Sequence, residues 1–256
     1  MSNNYTPTME KQILYSGPYF NNDELEYAFS VLMNGNWLVD GPEVRAFEKE
    51  FSSYFHCYYS LMVNSGSSAN LVSILALKKR YKLGEKDKIL VSSVGFPTTV
   101  SPMILANIGI EFVDIEWETL NFNLNQIDKK CRTDKSIRAI FISPVLGNPP
   151  NFDRLLEISK NYNVMLLLDG CDSLGSTWND KDLNYYTLFT TCSFYPAHHI
   201  TCFGGGGMIS SDDINFMNTA RSIAGWGNSC SCIGQERTLP QGKCGKRFSK
   251  WLKNVD

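Results

Sequence analysis

The sequence predicts an α/β protein, a mostly parallel sheet sandwiched between helices, and three observations carry that expectation. Short apolar runs of strand length recur at Ile89 to Val91, Phe112 to Ile115, Ala139 to Ile142, Val164 to Leu168 and Leu188 to Thr191. Longer polar or helix-patterned stretches separate them, the alternation that places helices on the faces of a parallel sheet. Phe96, Asn148, Asp169 and Ser193 each follow one of these runs, where ligands gather in such sheets, at the carboxyl ends of strands.

Taken from the N-terminus, the polar start Met1-Ser2-Asn3-Asn4 lacks the charged-then-apolar layout of a signal peptide. From Pro42 to Tyr54 the residues Val44, Phe47, Phe51 and Tyr54 share one helical face, and Pro42 after Gly41 suits a first helical turn. Asn64-Ser65-Gly66-Ser67-Ser68-Ala69-Asn70 is a small-residue turn that opens an apolar helix running through Val72, Leu75 and Leu77 toward Gly84. The strand-like runs then follow in order. The last residues, Cys230 to Asp256, hold Gly234, Gly242, Gly245 and several Lys and Arg without periodicity, and read as a loop.

Composition narrows the function class. A chain of 256 residues with 43% hydrophobic content can bury a full core as one large domain, or one domain plus a fragment. A net charge of -2 without any basic run argues against nucleic acid or an anionic membrane as the main partner and favours a small molecule. No apolar run approaches the ~20 residues that span a bilayer, so a cytoplasmic location is expected. The eight cysteines then read as thiols or metal ligands rather than disulfides. Cys57, Cys131, Cys192 and Cys202 fit the role of small buried hydrophobes.

Several positions invite chemistry. Gly66, Ser67 and Ser68 at a helix N-terminus can hold an anion through free backbone N–H groups and the helix dipole; an ordinary cap explains the same residues. Asp169 ends an apolar strand, where a carboxylate needs a partner, either a cation or a local cap. Phe96, in Val94-Gly95-Phe96-Pro97-Thr98-Thr99, is a ligand-stacking aromatic or a core residue. His198 and His199 are two of only three histidines, and imidazole moves protons near neutral pH.

Two stretches, Leu166-Leu167-Leu168-Asp169-Gly170-Cys171-Asp172 and Ser193-Phe194-Tyr195-Pro196-Ala197-His198-His199-Ile200-Thr201, carry a resemblance over about residues 15 to 250. The chain resembles the DegT/DnrJ/EryC1/StrS sugar aminotransferase family, most of all its sugar 3-dehydratase branch acting on CDP-4-keto-6-deoxyglucose. The resemblance implies the fold-type I large domain of pyridoxal phosphate enzymes over 21-229. An N-terminal arm over 1-20 and a cysteine-bearing loop over 230-256 flank it, and the family's C-terminal small domain is missing. His198 stands where aminotransferases carry the Schiff-base lysine, and imidazole cannot form that imine. The cofactor is then pyridoxamine phosphate, with His198 as proton-transfer base. Asp169 pairs with the ring nitrogen, Phe96 stacks on the ring, and Gly66, Ser67 and Ser193 hold the phosphate. Asp172, where many relatives carry Gln, lies near the ring oxygen. Trp37 and Gly41-Pro42 lie near the sugar, and Gly147-Asn148-Pro149 follows a strand.

The same branch holds a 2Fe–2S cluster on four cysteines, matched here by Cys171, Cys230, Cys232 and Cys244. These are separated by 58, 1 and 11 residues, one more in the first gap and four more in the last than the resemblance calls for. Thiolates suit such a cluster and a loop absorbs extra residues; a zinc site or plain surface thiols are the other readings. Gly204 stands where relatives carry glutamate. The implied partners are a nucleotide-activated keto-deoxy sugar, a second copy of the chain in a homodimer, and a separate electron-donating reductase. The implied activity is loss of the C3 hydroxyl of a 4-keto-6-deoxyhexose on the way to lipopolysaccharide deoxysugars. A cluster-free dehydratase of GDP-4-keto-6-deoxymannose is one alternative. A truncated, non-catalytic paralogue that binds nucleotide sugar or a complete subunit is the other.

Overall fold

The computed structural model describes residues 16, 17, 20–35 and 38–227. Its elements in chain order are α1 (Asn22–Met33), α2 (Pro42–Tyr54), β1 (Tyr59–Val63), α3 (Gly66–Tyr81), β2 (Lys88–Ser92), α4 (Pro97–Leu105) and β3 (Gly109–Val113). They continue as α5 (Leu124–Thr133), β4 (Ile137–Ile142), α6 (Phe152–Tyr162), β5 (Met165–Asp169), the short β6 (Thr177–Trp178) and β7 (Lys181–Asp182), β8 (Thr190–Ser193), β9 (Gly207–Ser211) and α7 (Ile214–Ala224). The main sheet has seven strands in the order β1-β9-β8-β5-β4-β2-β3. Only β9 runs against the others, so the expected mostly parallel sheet is present.

The central strands β2, β4 and β5 are buried on both faces because their apolar residues follow one another without alternation, with side chains pointing in turn into two cores. From β2 and β4, Ile89, Val91, Ala139 and Phe141 point into one core, where Ile74 and Leu77 of α3 and Phe216 and Met217 of α7 meet them. Leu90, Ile140 and Ile142 point into the other, against Ile127 of α5 and Phe152, Leu155 and Ile158 of α6. Each such side chain contributes about 1.5–3 kcal/mol through burial.

Local chemistry sets the element ends. Ser65 caps α3 by accepting from Ser68 N at 3.1 Å, and Lys82 closes it in the left-handed region. Asn123, Asn151 and Asp213 cap α5, α6 and α7 in the same way. The helix expected from Pro42 to Tyr54 forms over those residues, with Pro42 in the first turn. Two strands are shifted from the sequence pattern: the one expected at Leu188 to Thr191 runs Thr190–Ser193, and the one expected at Phe112 to Ile115 runs Gly109–Val113. Asp114 N instead donates to Gln126 Oε1, and Ile115 forms an isolated bridge with Phe122. Among the described residues, no helix is long and apolar enough to cross a membrane.

Candidate functional site

A cleft of about 850 Å³ opens at the carboxyl ends of β4, β5 and β8, bordered by the start of α3 and the turn before α4. It is lined by Gly66, Ser67, Phe96, Asp169, Cys171, Asp172, Ser193 and His198, so eight residues singled out in the sequence meet in one place. Asn148 is not among the lining residues: its side-chain amide donates to Thr119 O, and its carbonyl accepts from Asn121. These bonds pull it toward the loop after β3, away from the cleft.

Asp169 is 4% exposed at the end of β5. Its Oδ2 accepts from Thr99 Oγ1 at 2.6 Å and from Asn70 Nδ2 at 2.8 Å, while Oδ1 receives a longer contact from Cys171 N at 3.3 Å. All three donors are neutral. Among the described residues no cation approaches this carboxylate. A buried carboxylate is costly without a counter-charge, so the geometry leaves one acceptor oxygen for a cationic N–H arriving through the cleft.

The donors are themselves fixed. Thr191 Oγ1 donates to Asn70 Oδ1 at 2.6 Å, which turns the Asn70 amide group toward Asp169. Pro102 has no N–H for the carbonyl four residues back, and that freed Thr98 O accepts from Asn70 Nδ2 at 3.2 Å. Asn70, Thr99 and Thr191 were not legible as site residues. Their signal is faint: one amide on an otherwise apolar helix, and two threonines beside strand or helix ends.

The head of α3, on the border of the same cleft, suits an anion. Ser65 Oγ occupies Ser68 N–H, which leaves the Gly66 and Ser67 N–H groups at the head of a 16-residue helix. Gly66 cannot carry a side chain: a Cβ there would lie 2.6 Å from Ser193 Cβ and 3.0 Å from Cys171 Sγ. Ser193 is thereby pressed against the helix start. Gly207 of β9 is required beneath the same turn, since its Cβ would fall 2.4 Å from the Ser65 carbonyl carbon. Phe96, 68% exposed at the N-cap of α4, forms part of the cleft wall.

His198 sits in the turn after β8, its N–H donating to Tyr195 O at 2.9 Å. Its imidazole lines the cleft, with Nδ1 3.6 Å from Asp172 Oδ1. His199 borders only a neighbouring hollow with Phe20, Glu24 and Phe203, so of the adjacent histidines His198 is the one placed for chemistry. Among the described residues no lysine lines the cleft.

The cysteines divide. Cys57, Cys131 and Cys192 are buried, as their isolation suggested, and Cys202 is half-buried. Burial pushes the Cys131 thiol up to about 11. Cys171 reaches the cleft, but burial, followed by the charge of Asp169, drives its thiol well above the ordinary range. Cys230, Cys232 and Cys244, like Trp37, lie outside the described residues. No three His, Cys, Asp or Glu side chains among the described residues are grouped to hold a metal.

The seven-stranded mixed sheet with one antiparallel strand has the fold of the pyridoxal-phosphate-dependent, aminotransferase-like sugar enzymes. Residues 19–239 match the model of the DegT/DnrJ/EryC1/StrS aminotransferase family, and the chain belongs to that family. It is 37% identical over 84% of its length to the dTDP-4-dehydro-2,6-dideoxy-D-glucose 3-dehydratase of Saccharopolyspora spinosa, covering 46% of that protein. It is 36% identical over 93% of its length to the lipopolysaccharide biosynthesis protein RfbH of Salmonella typhimurium, covering 53% of it. A GDP-4-keto-6-deoxymannose-3-dehydratase solved with a trapped PLP-glutamate geminal diamine superposes with a TM-score of 0.82 at 30% identity. That match covers 94% of this chain and 62% of the other. The chain therefore spans about half the length of the curated relatives it matches.

Proposed function

We propose that this chain is the cofactor-binding half of a nucleotide-sugar 3-dehydratase that uses pyridoxamine phosphate. The observation that carries the reading is the buried Asp169, satisfied on one oxygen by neutral donors and turned toward a cleft that holds His198 and no lysine among its described residues. The residues fit the cofactor at three points. Asp169 would hold a proton on the pyridine nitrogen, Gly66, Ser67 and Ser193 would bind the phosphate, and Phe96 would cover the ring face. When bound, the ring supplies an electron sink. His198 would remove the proton at the cofactor's C4′ methylene and return one as the C3 hydroxyl of a 4-keto-6-deoxyhexose departs. Imidazole offers no primary amine to condense to an imine, so on this reading the cofactor would be held by noncovalent contacts alone.

The finer parts of the reading are a nucleotide-activated keto-sugar substrate, a homodimer, and a 2Fe–2S cluster on Cys171, Cys230, Cys232 and Cys244 fed by a separate reductase. The order of the four cysteines supports the cluster. One observation favours a second, cluster-free reading: Cys171 Sγ lies 3.0 Å from where a Cβ on Gly66 would stand, so the thiol packs against the head of α3.

The test is incubation with pyridoxamine phosphate and candidate nucleotide-4-keto-6-deoxy sugars, followed by mass for loss of the C3 hydroxyl. Turnover of pyridoxal phosphate and glutamate to an amino sugar would overturn the dehydratase reading. Borohydride is expected to fix no pyridoxyl group to the wild type and to fix one to His198→Lys. Iron and acid-labile sulfide content, with bleaching by dithionite, separates the two cluster readings.

A further inference from the structure

We infer that Asp172 is a positioning residue for His198, fixing which imidazole nitrogen carries the proton. The inference rests on the reading of His198 as the proton-transfer base. Among the described residues Asp172 is the one acidic partner of that ring, with Oδ1 3.6 Å from Nδ1. That distance is an ion-pair contact, longer than a hydrogen bond, and a small rotation of either side chain closes it. A carboxylate accepts and never donates, so it stabilises the ring form with hydrogen on Nδ1 and leaves the Nε2 lone pair available for proton abstraction.

The surroundings hold both partners in place. The turn carrying Asp172 is tied to the sheet by Gly170 N donating to Thr191 O at 2.7 Å. It packs so closely on the loop after β4 that a Cβ on Gly147 would lie 2.9 Å from the Asp172 carbonyl oxygen. Ser176 Oγ donates to Gly147 O at 2.7 Å and closes that loop onto the turn. On the other side the His198 N–H is bound to Tyr195 O. The Tyr195 ring meets the imidazole edge to face, with centroids 6.4 Å apart and planes at 68°. The backbone of each partner is thus fixed by separate elements, and the remaining freedom is rotation of the imidazole about its own side-chain bonds. A charged acceptor on one edge favours the ring orientation that turns Nδ1 toward it.

The arrangement is testable without turnover. With three histidines in the chain, ¹⁵N spectra of the ring nitrogens resolve each tautomer, read at a pH where the imidazoles are neutral. The wild type should hold His198 with hydrogen on Nδ1. Asp172→Ala should shift it toward hydrogen on Nε2, and Asp172→Asn should do so more strongly, because a flipped amide donates to Nδ1. Asp172→Glu should restore the wild-type signal. Unchanged His56 and His199 spectra would show that the fold is kept. In dehydratase turnover, Asp172→Asn should lower kcat about tenfold or more with little change in KM, within the roughly 10²–10⁴-fold that a general base supplies. An unaltered His198 tautomer in both the Ala and the Asn variants would overturn the inference. A wild type with the expected tautomer but without any dehydratase turnover would instead sink the reading of function and leave the positioning role standing.

Discussion

Two buried carboxylates, Glu48 on α2 and Asp169 on β5, are 8% and 4% exposed, yet the molecule completes them differently. Glu48 Oε1 accepts from Met62 N at 2.8 Å and Oε2 pairs with Arg221 Nη2 at 3.2 Å. Arg221 also donates to Ser60 O at 3.1 Å. The pair thereby covers the open edge of β1 with side chains, and its counter-charge comes from the same chain. Asp169 receives only neutral donors and faces a cleft. Equal burial therefore separates into a carboxylate that takes its counter-charge from the same chain and one that, on the proposed function, would take it from a bound ligand.

Substitutions that break this contrast have effects of graded size. Asp169→Ala should weaken pyridoxamine phosphate binding by about 2–5 kcal/mol, the usual cost of truncating one member of a buried charged pair, measured by equilibrium titration. In the empty chain Asp169→Asn should leave the melting temperature unchanged or raise it, since no counter-charge is lost. Glu48→Gln should do the reverse, costing about 1–3 kcal/mol of unfolding free energy by leaving the Arg221 charge without a carboxylate while leaving cofactor affinity intact. Thr99→Val removes one of two side-chain donors to Asp169 and should cost about 1–2 kcal/mol of cofactor affinity.

The smallest effect is a pH dependence at a carboxylate far from both. Hydrogen bonds from Ser136, and then from Lys88, hold Asp134 down at about 2 against its ordinary 3.8. A depressed folded-state value stabilises the native state above the unfolded value, and that contribution is lost as pH falls from about 4 to about 2. Asp134→Asn should flatten this part of the acid-unfolding curve, followed by circular dichroism.

How much of this was legible in the sequence depended on range. The apolar runs that became β2, β4, β5 and β8 announced themselves through local composition, as did the α2 helix through Pro42 and its apolar face. Strand β9 did not, because Gly207, Ser210 and Ser211 carry little strand preference and owe their place to pairing with β1 and β8. Helix α5 is short and rich in Lys and Arg, and only Ile127 and Cys131 of its residues are buried. In the site, Asp169 and Ser193 were visible after strand-like runs and Gly66 in a helix-opening turn, whereas His198 was picked out by the family resemblance. The donors to Asp169 were not: Asn70 and Thr99 lie 99 and 70 residues from it, and Thr191 lies 121 residues from Asn70. Pairings of that length are set by the strand order, which no local pattern encodes.

The central claim is that Asp169 awaits a cation from outside the chain. The most direct measurement is the ¹⁵N shift of ring-labelled pyridoxamine phosphate, bound to the wild type and to Asp169→Asn, in alkaline buffer where the free ring nitrogen is unprotonated. The account predicts a protonated pyridinium on the wild type and its loss, with weakened binding, on the variant. An unprotonated ring bound tightly and equally by both proteins would contradict it.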